Sequence, residues 1–162
     1  MKRHNDNVNV DAMFAAMNEH RVDYLVIGGM SFLLRHQPIL TFDVDFWIAS
    51  DPSNRRRCEQ ALSSLQAEWG RTEDDWGPVA DKTAGWLDGQ RVFCLNCPQG
   101  AIDIFLAVPG LDDWSQAKRM AITATTASGS RYHAISDADL LRCQLALPPE
   151  QRKMDRVAYL QK

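Results

Sequence analysis

The stretch Thr41-Phe-Asp-Val-Asp-Phe-Trp-Ile constrains the fold of this chain more than any other. Its residue types predict a β-strand over residues 41–49, and side chains on a strand point alternately to opposite faces. Phe42, Val44, Phe46 and Ile48 then make one unbroken apolar face that must be buried, while Thr41, Asp43, Asp45 and Trp47 make the other. Aspartate is a poor strand former, and carboxylates at i and i+2 repel each other on a shared face. A divalent cation removes that repulsion, and oxygen-only ligands favour magnesium or manganese. The solvent face of an edge strand also tolerates aspartate without a metal. The pair alone leaves both readings open.

Two further features bear on the choice. Residues 23–27 form a short apolar run, read as a buried strand, that stops at Gly28-Gly29-Met30-Ser31 before a short helix predicted from Met30 to His36. Small residues at a strand-to-helix junction let backbone N–H groups approach a phosphate, although any tight turn uses glycine as well. Further on, Ala101-Ile-Asp-Ile-Phe-Leu-Ala-Val places Asp103 alone in a strand whose core face is Ile102, Ile104, Leu106 and Val108. That carboxylate is either half of a structural ion pair or a third metal-facing acid.

The remaining pattern is mixed α/β. A helix is predicted from Val10 to Arg21, and another from the Asp51-Pro52-Ser53 cap to about Trp69. Residues 70–89, rich in Gly, Asp and Trp, read as a long loop or weak hairpin over the site. Strands at 90–96 and 101–108 are joined by the turn Cys97-Pro-Gln-Gly100. A short helix at 112–119 and short strands within 121–134 follow, then a helix capped at Ser136 that ends before Pro148-Pro149, then a last amphipathic helix through Met154, Val157 and Leu160. The expectation is an α/β (α+β) fold in which a partly antiparallel sheet is flanked by helices and closed by two C-terminal helices. With 162 residues the chain suits one domain, its core at about 23–134 and its helical pair at about 136–161.

Composition excludes several classes. No stretch approaches the roughly eighteen apolar residues of a membrane helix. The charged start Met1-Lys-Arg-His-Asn-Asp has no apolar region after it, so a cytoplasmic protein without a signal peptide is expected. A net charge of −3 argues against an extended phosphate-binding surface. The one cationic run, Arg55-Arg56-Arg57, is either a solvated helix face or a contact for a phosphate-bearing acceptor. Four cysteines, at 58, 94, 97 and 143, make no disulfide framework, and Cys94-Leu-Asn-Cys97 lacks the second ligand pair that zinc needs. His36 and His133 are isolated and are read as ordinary structural histidines.

Gly28-Gly29-x-Ser31, then Thr41-x-Asp43-x-Asp45, then Asp103 on a later strand, resembles the nucleotidyltransferase superfamily with the DNA polymerase β-like fold. Within it the chain is most similar to the small bacterial branch related to AbiEii-type toxins and other minimal nucleotidyltransferases, where Arg35 and Thr41 match the run before the acids. The resemblance spans about residues 23–160. It implies transfer of a nucleoside monophosphate from a nucleoside triphosphate, the donor, to an acceptor hydroxyl on RNA, protein or a small molecule. Asp43, Asp45 and Asp103 would hold magnesium or manganese and carry the catalysis. Gly28, Gly29, Ser31, Thr41, Arg35 and Lys153 would bind the nucleotide. Where that branch usually has a lysine, this chain has Gln144, with Arg142 or Lys153 as possible substitutes. A non-catalytic binding or toxin–antitoxin-type module with a cognate partner protein is the alternative, and a plain interaction domain with surface acids is the third reading.

Overall fold

The computed structural model describes residues 8–162; the charged N-terminal stretch read above for a leader lies outside the described residues. Helix α1 (Val10–Glu19) starts where the Asn9 side chain accepts the Ala12 N–H, and buries Met13, Phe14 and Met17. Strand β1 (Tyr24–Ile27) is buried along its whole length and passes straight into helix α2 (Gly28–Arg35), which begins two residues earlier than expected. Strand β2 (Asp43–Ile48) follows. Asp51 caps helix α3 (Pro52–Ser64) through the Asn54 N–H, with proline in the first turn as the sequence indicated. The helix ends before residue 69 because Gln66 takes a positive φ of 60°, after which Glu68–Trp69 forms the short strand β3.

The two-residue strand β4 (Gly77–Pro78) is followed by β5 (Val92–Cys97) and β6 (Gly100–Phe105), joined by the expected tight turn. Helix α4 (Trp114–Met120), the hairpin β7 (Ile122–Thr125) and β8 (Arg131–Ala134), and helices α5 (Asp137–Leu145) and α6 (Met154–Leu160) complete the chain. Among the described residues the strands form one sheet in the order β4-β3-β5-β6-β2-β1-β8-β7. Pairs β2–β6 and β1–β8 are parallel and the other pairs antiparallel. The mixed α/β architecture with two closing helices is as the pattern predicted.

Both faces of the sheet are covered. Val44, Phe46, Ile48, Ile102 and Ile104 pack with Met13, Phe14, Cys58 and Leu62 in the larger core. On the other face Leu25, Ile27 and Trp47 pack with Ala117, Ile135 and Leu140. Two expectations for β2 change accordingly. Phe42 is 49% exposed, because pairing begins only at Asp43 and leaves it beyond the sheet. Trp47, on the acid-bearing face, is buried edge-on against Trp114, with ring centroids 5.1 Å apart.

Residues 70–89 also depart from expectation. They form three single 3-10 turns (Glu73–Asp75, Val79–Asp81 and Trp86–Asp88) around β4. Val79 and Leu87 are buried in the larger core, on the face of the sheet opposite Asp43 and Asp45. The buried Glu59 carboxylate accepts the N–H groups of Gly85 and Leu87, both at 3.0 Å, while Arg55 and Arg56 hold Asp88. Arg57 reaches the Arg21 carbonyl. The cationic run is therefore engaged within the protein, and the segment is fastened to α3 rather than lying over the acids.

Candidate active site

The parallel pairing of β2 with β6 sets Asp45 directly beside Asp103, with Asp43 beside Ala101. Residues paired in register point to the same face, so all three carboxylates converge, and one oxygen of each lies within 4.8 Å of the others. The repulsion inferred within β2 is thus compounded by an acid on another strand. Burial, followed by the charges of Asp43 and Asp103, pushes the Asp45 carboxyl up to about 8. Burial and the Asp43 charge also raise Asp103, opposed by a hydrogen bond from the Cys94 thiol. Cys94 stands opposite Asp103 in the β5–β6 hairpin. Counting three residues outward from each side of the Cys97–Gly100 turn would have found that neighbour in the sequence.

Asp45 Oδ1 is buried without any hydrogen-bond donor. A buried carboxyl oxygen with no partner is costly, and a hard divalent cation shared with Asp43 and Asp103, displacing the proton, would satisfy it. The donor set, three carboxylates with no nitrogen ligand, fits magnesium or manganese.

The strand-to-helix junction lies against these acids. Gly28 has φ +71°, and a Cβ there would stand 2.5 Å from Asp45 Oδ2, so the junction needs glycine for its conformation and for its clearance. A Cβ on Gly29 would meet Thr41 Oγ1 at 3.2 Å and Arg156 Nη1 at 3.4 Å. Gly28 therefore lies against Asp45, and Gly29 lies between Thr41 and Arg156. Ser31 is wholly buried, with an unpartnered Oγ, in the first turn of α2.

Other expected residues are engaged elsewhere. Arg35, at the C-terminal end of α2, pairs with Asp137 at 2.8 Å and donates to the Ile135 carbonyl. His36 shares Asp137, and His133 pairs with Thr123, which suits their reading as structural residues. Lys153 is exposed at the start of α6, and its backbone N–H donates to Gln144 Oε1 at 2.7 Å. Gln144 therefore caps α6. The cation that α6 sets beside Gly29 is Arg156, one turn further on, and a single sequence shows nothing of that placement.

No family model and no curated protein matches the chain at a significant level. Solved structures do. ANT(2'')-Ia in complex with adenylyl-2''-tobramycin is 13% identical, with 94% of this chain and 83% of that chain covered and a TM-score of 0.57. The solution structure of the same antibiotic-resistance factor gives 14% identity, 94% and 78% coverage, and a TM-score of 0.54. A candidate nucleotidyltransferase from Thermotoga maritima is 15% identical, covers 98% and 94%, and has a TM-score of 0.55. The fold is of the nucleotidyltransferase type. At this level of identity the likeness establishes architecture alone. The chain reversal after β1 and the three-acid convergence stand on this protein's own residues. No helix among the described residues is long and apolar enough to cross a membrane.

Proposed function

We propose that the protein is a metal-dependent nucleotidyltransferase that transfers a nucleoside monophosphate from a nucleoside triphosphate to an acceptor hydroxyl. One observation carries this reading: Asp43, Asp45 and Asp103 converge beside a glycine junction that opens a helix. Magnesium or manganese held by the three acids would neutralise charge on the triphosphate and on the attacking and leaving oxygens. Asp103 would orient the acceptor hydroxyl and take up its proton. Gly28 and Gly29 are the first two residues of α2, so their N–H groups lie at the helix start, where an anionic group is favoured by the helix dipole. Thr41 would add a hydroxyl donor. Because the acceptor oxygen bonds to the α-phosphorus as its bond to the β-phosphate oxygen breaks, releasing pyrophosphate, no covalent enzyme intermediate is needed.

The finer placement belongs to the same proposal. The whole chain is taken as one nucleotidyltransferase-like domain of the minimal bacterial branch that includes AbiEii-type toxins, acting in the cytoplasm. The adenylylated tobramycin in ANT(2'')-Ia makes a small-molecule hydroxyl one acceptor to try, with RNA and protein as the others. The test is incubation of the protein with each α-labelled nucleoside triphosphate, manganese and a total cell extract. Label transferred to one acceptor class by the wild type, and lost on Asp43→Asn, supports the reading. No transfer from any of the four triphosphates contradicts it.

A further inference from the structure

We propose that Arg156, on the last helix, is the residue that grips the polyphosphate of the donor at the Gly28–Gly29 junction. The inference rests on the nucleotidyl-transfer reading and deepens it. Its Nη1 stands 3.4 Å from where a Gly29 Cβ would be, and Thr41 Oγ1 is 3.2 Å from the same point. The junction is therefore bounded by a guanidinium, a hydroxyl and the first turn of α2. Arg156 is half-buried, and its guanidinium lies 6.0 Å from the centre of the Phe32 ring. It forms no ion pair among the described residues, although arginine stays charged at all ordinary pH values. A half-buried guanidinium with unused donors matches phosphate oxygens, which accept its planar fork in pairs.

The position is built rather than incidental. Gln144 caps α6 at Lys153, Val157 buries into the protein, and the Tyr159 ring packs edge-on against Phe32 at 5.2 Å. These three contacts fix the helix on both sides of Arg156. Of the other basic candidates, Arg35 is committed to Asp137, Arg55 and Arg56 to Asp88, and Arg142 to Asp139, while the Lys153 side chain is exposed. Gln144, by accepting the Lys153 N–H, fixes the start of the helix that carries Arg156.

Wild type, Arg156→Gln and Arg156→Lys are titrated with manganese alone, then with manganese plus inorganic tripolyphosphate, ATP or AMP, by calorimetry. Arg156→Gln should keep the manganese response and the AMP affinity, and should bind tripolyphosphate and ATP about tenfold or more weakly, as loss of a charged hydrogen bond implies. Arg156→Lys should fall between the two. Tripolyphosphate affinity within about twofold of wild type in Arg156→Gln overturns the proposal while leaving nucleotidyl transfer intact. A wild type that binds neither triphosphate overturns both. Phenylglyoxal labelling of the wild type, mapped by mass spectrometry, needs no variant to fold. Tripolyphosphate should protect Arg156, and undiminished labelling there also overturns the assignment.

Discussion

A Cβ placed on Gly28 would stand 2.5 Å from Asp45 Oδ2, and Gly28 also holds a φ of +71°. The chain reversal after β1 and the position of the middle acid are thus one feature, since neither tolerates a side chain at residue 28. Gly28→Ala should lower the melting temperature by about 2–8 °C from backbone strain alone. It should also displace the Asp45 carboxylate and weaken manganese binding. Thermal unfolding with and without manganese checks both effects, and an unchanged metal response would show that the contact is slack.

Charge at the site sets a pH dependence in the metal-free protein. The Asp45 carboxyl is raised to about 8, chiefly by burial, from its ordinary 3.8. The folded state therefore holds a proton that the unfolded state releases, and stability falls as pH rises from about 4 toward 8. In EDTA, the difference in stability between wild type and Asp45→Asn should shift against the wild type across that window. A difference that stays flat with pH means that Asp45 is not buried among like charges.

Glu59 makes a separate prediction about residues 70–89. Its carboxylate, 6% exposed, accepts two backbone N–H groups from the segment and pairs with Arg56 at 2.7 Å. Glu59→Ala should cost roughly 3 kcal/mol by leaving those donors and the arginine unsatisfied. Amide exchange should quicken at residues 82–89 while the manganese response persists, because the segment packs on the face away from the acids. Loss of the metal response in this variant would contradict that separation.

Much of this was legible locally. The alternation from Asp43 to Phe46 in β2, the Asp51 and Ser136 caps, and the Cys97–Gly100 turn depend on neighbours in sequence, and these appear where expected. The three acids could be singled out because aspartate has no local reason to sit in an apolar strand. The departures depend on partners distant in sequence. Phe42 is exposed because β6 begins its pairing at Asp43, and Trp47 is buried because Trp114 covers it. Residues 70–89 show no periodicity, yet they are held by contacts from Glu59, Arg55 and Arg56 on α3. Arg156 reaches Gly29 across a separation that no spacing rule covers.

Of the four cysteines, Cys94 stands beside Asp103 on the acid-bearing face of the sheet, and Cys58 lies in the larger core on the other face. None is in a disulfide; Cys58 is buried and Cys94 exposed. A thiol reagent should modify Cys94 first and Cys58 only on unfolding. Because the Cys94 thiol hydrogen-bonds Asp103, a bulky adduct there should weaken manganese binding, whereas Cys94→Ser should retain it. Mass mapping of partially labelled protein, followed by metal titration, tests both. Stoichiometric zinc by elemental analysis, lost on Cys97→Ser, would contradict the absence of a thiolate metal site.

The central claim is that Asp43, Asp45 and Asp103 form one divalent-metal site, and the most direct test is the melting temperature with and without metal. Millimolar manganese or magnesium should raise that of the wild type, by binding the folded state alone. Asp43→Asn and Asp45→Asn should match or exceed the wild type in EDTA, because they relieve repulsion, and should lose the metal-dependent rise. A wild-type melting temperature indifferent to millimolar manganese, with and without nucleoside triphosphate, would contradict the claim.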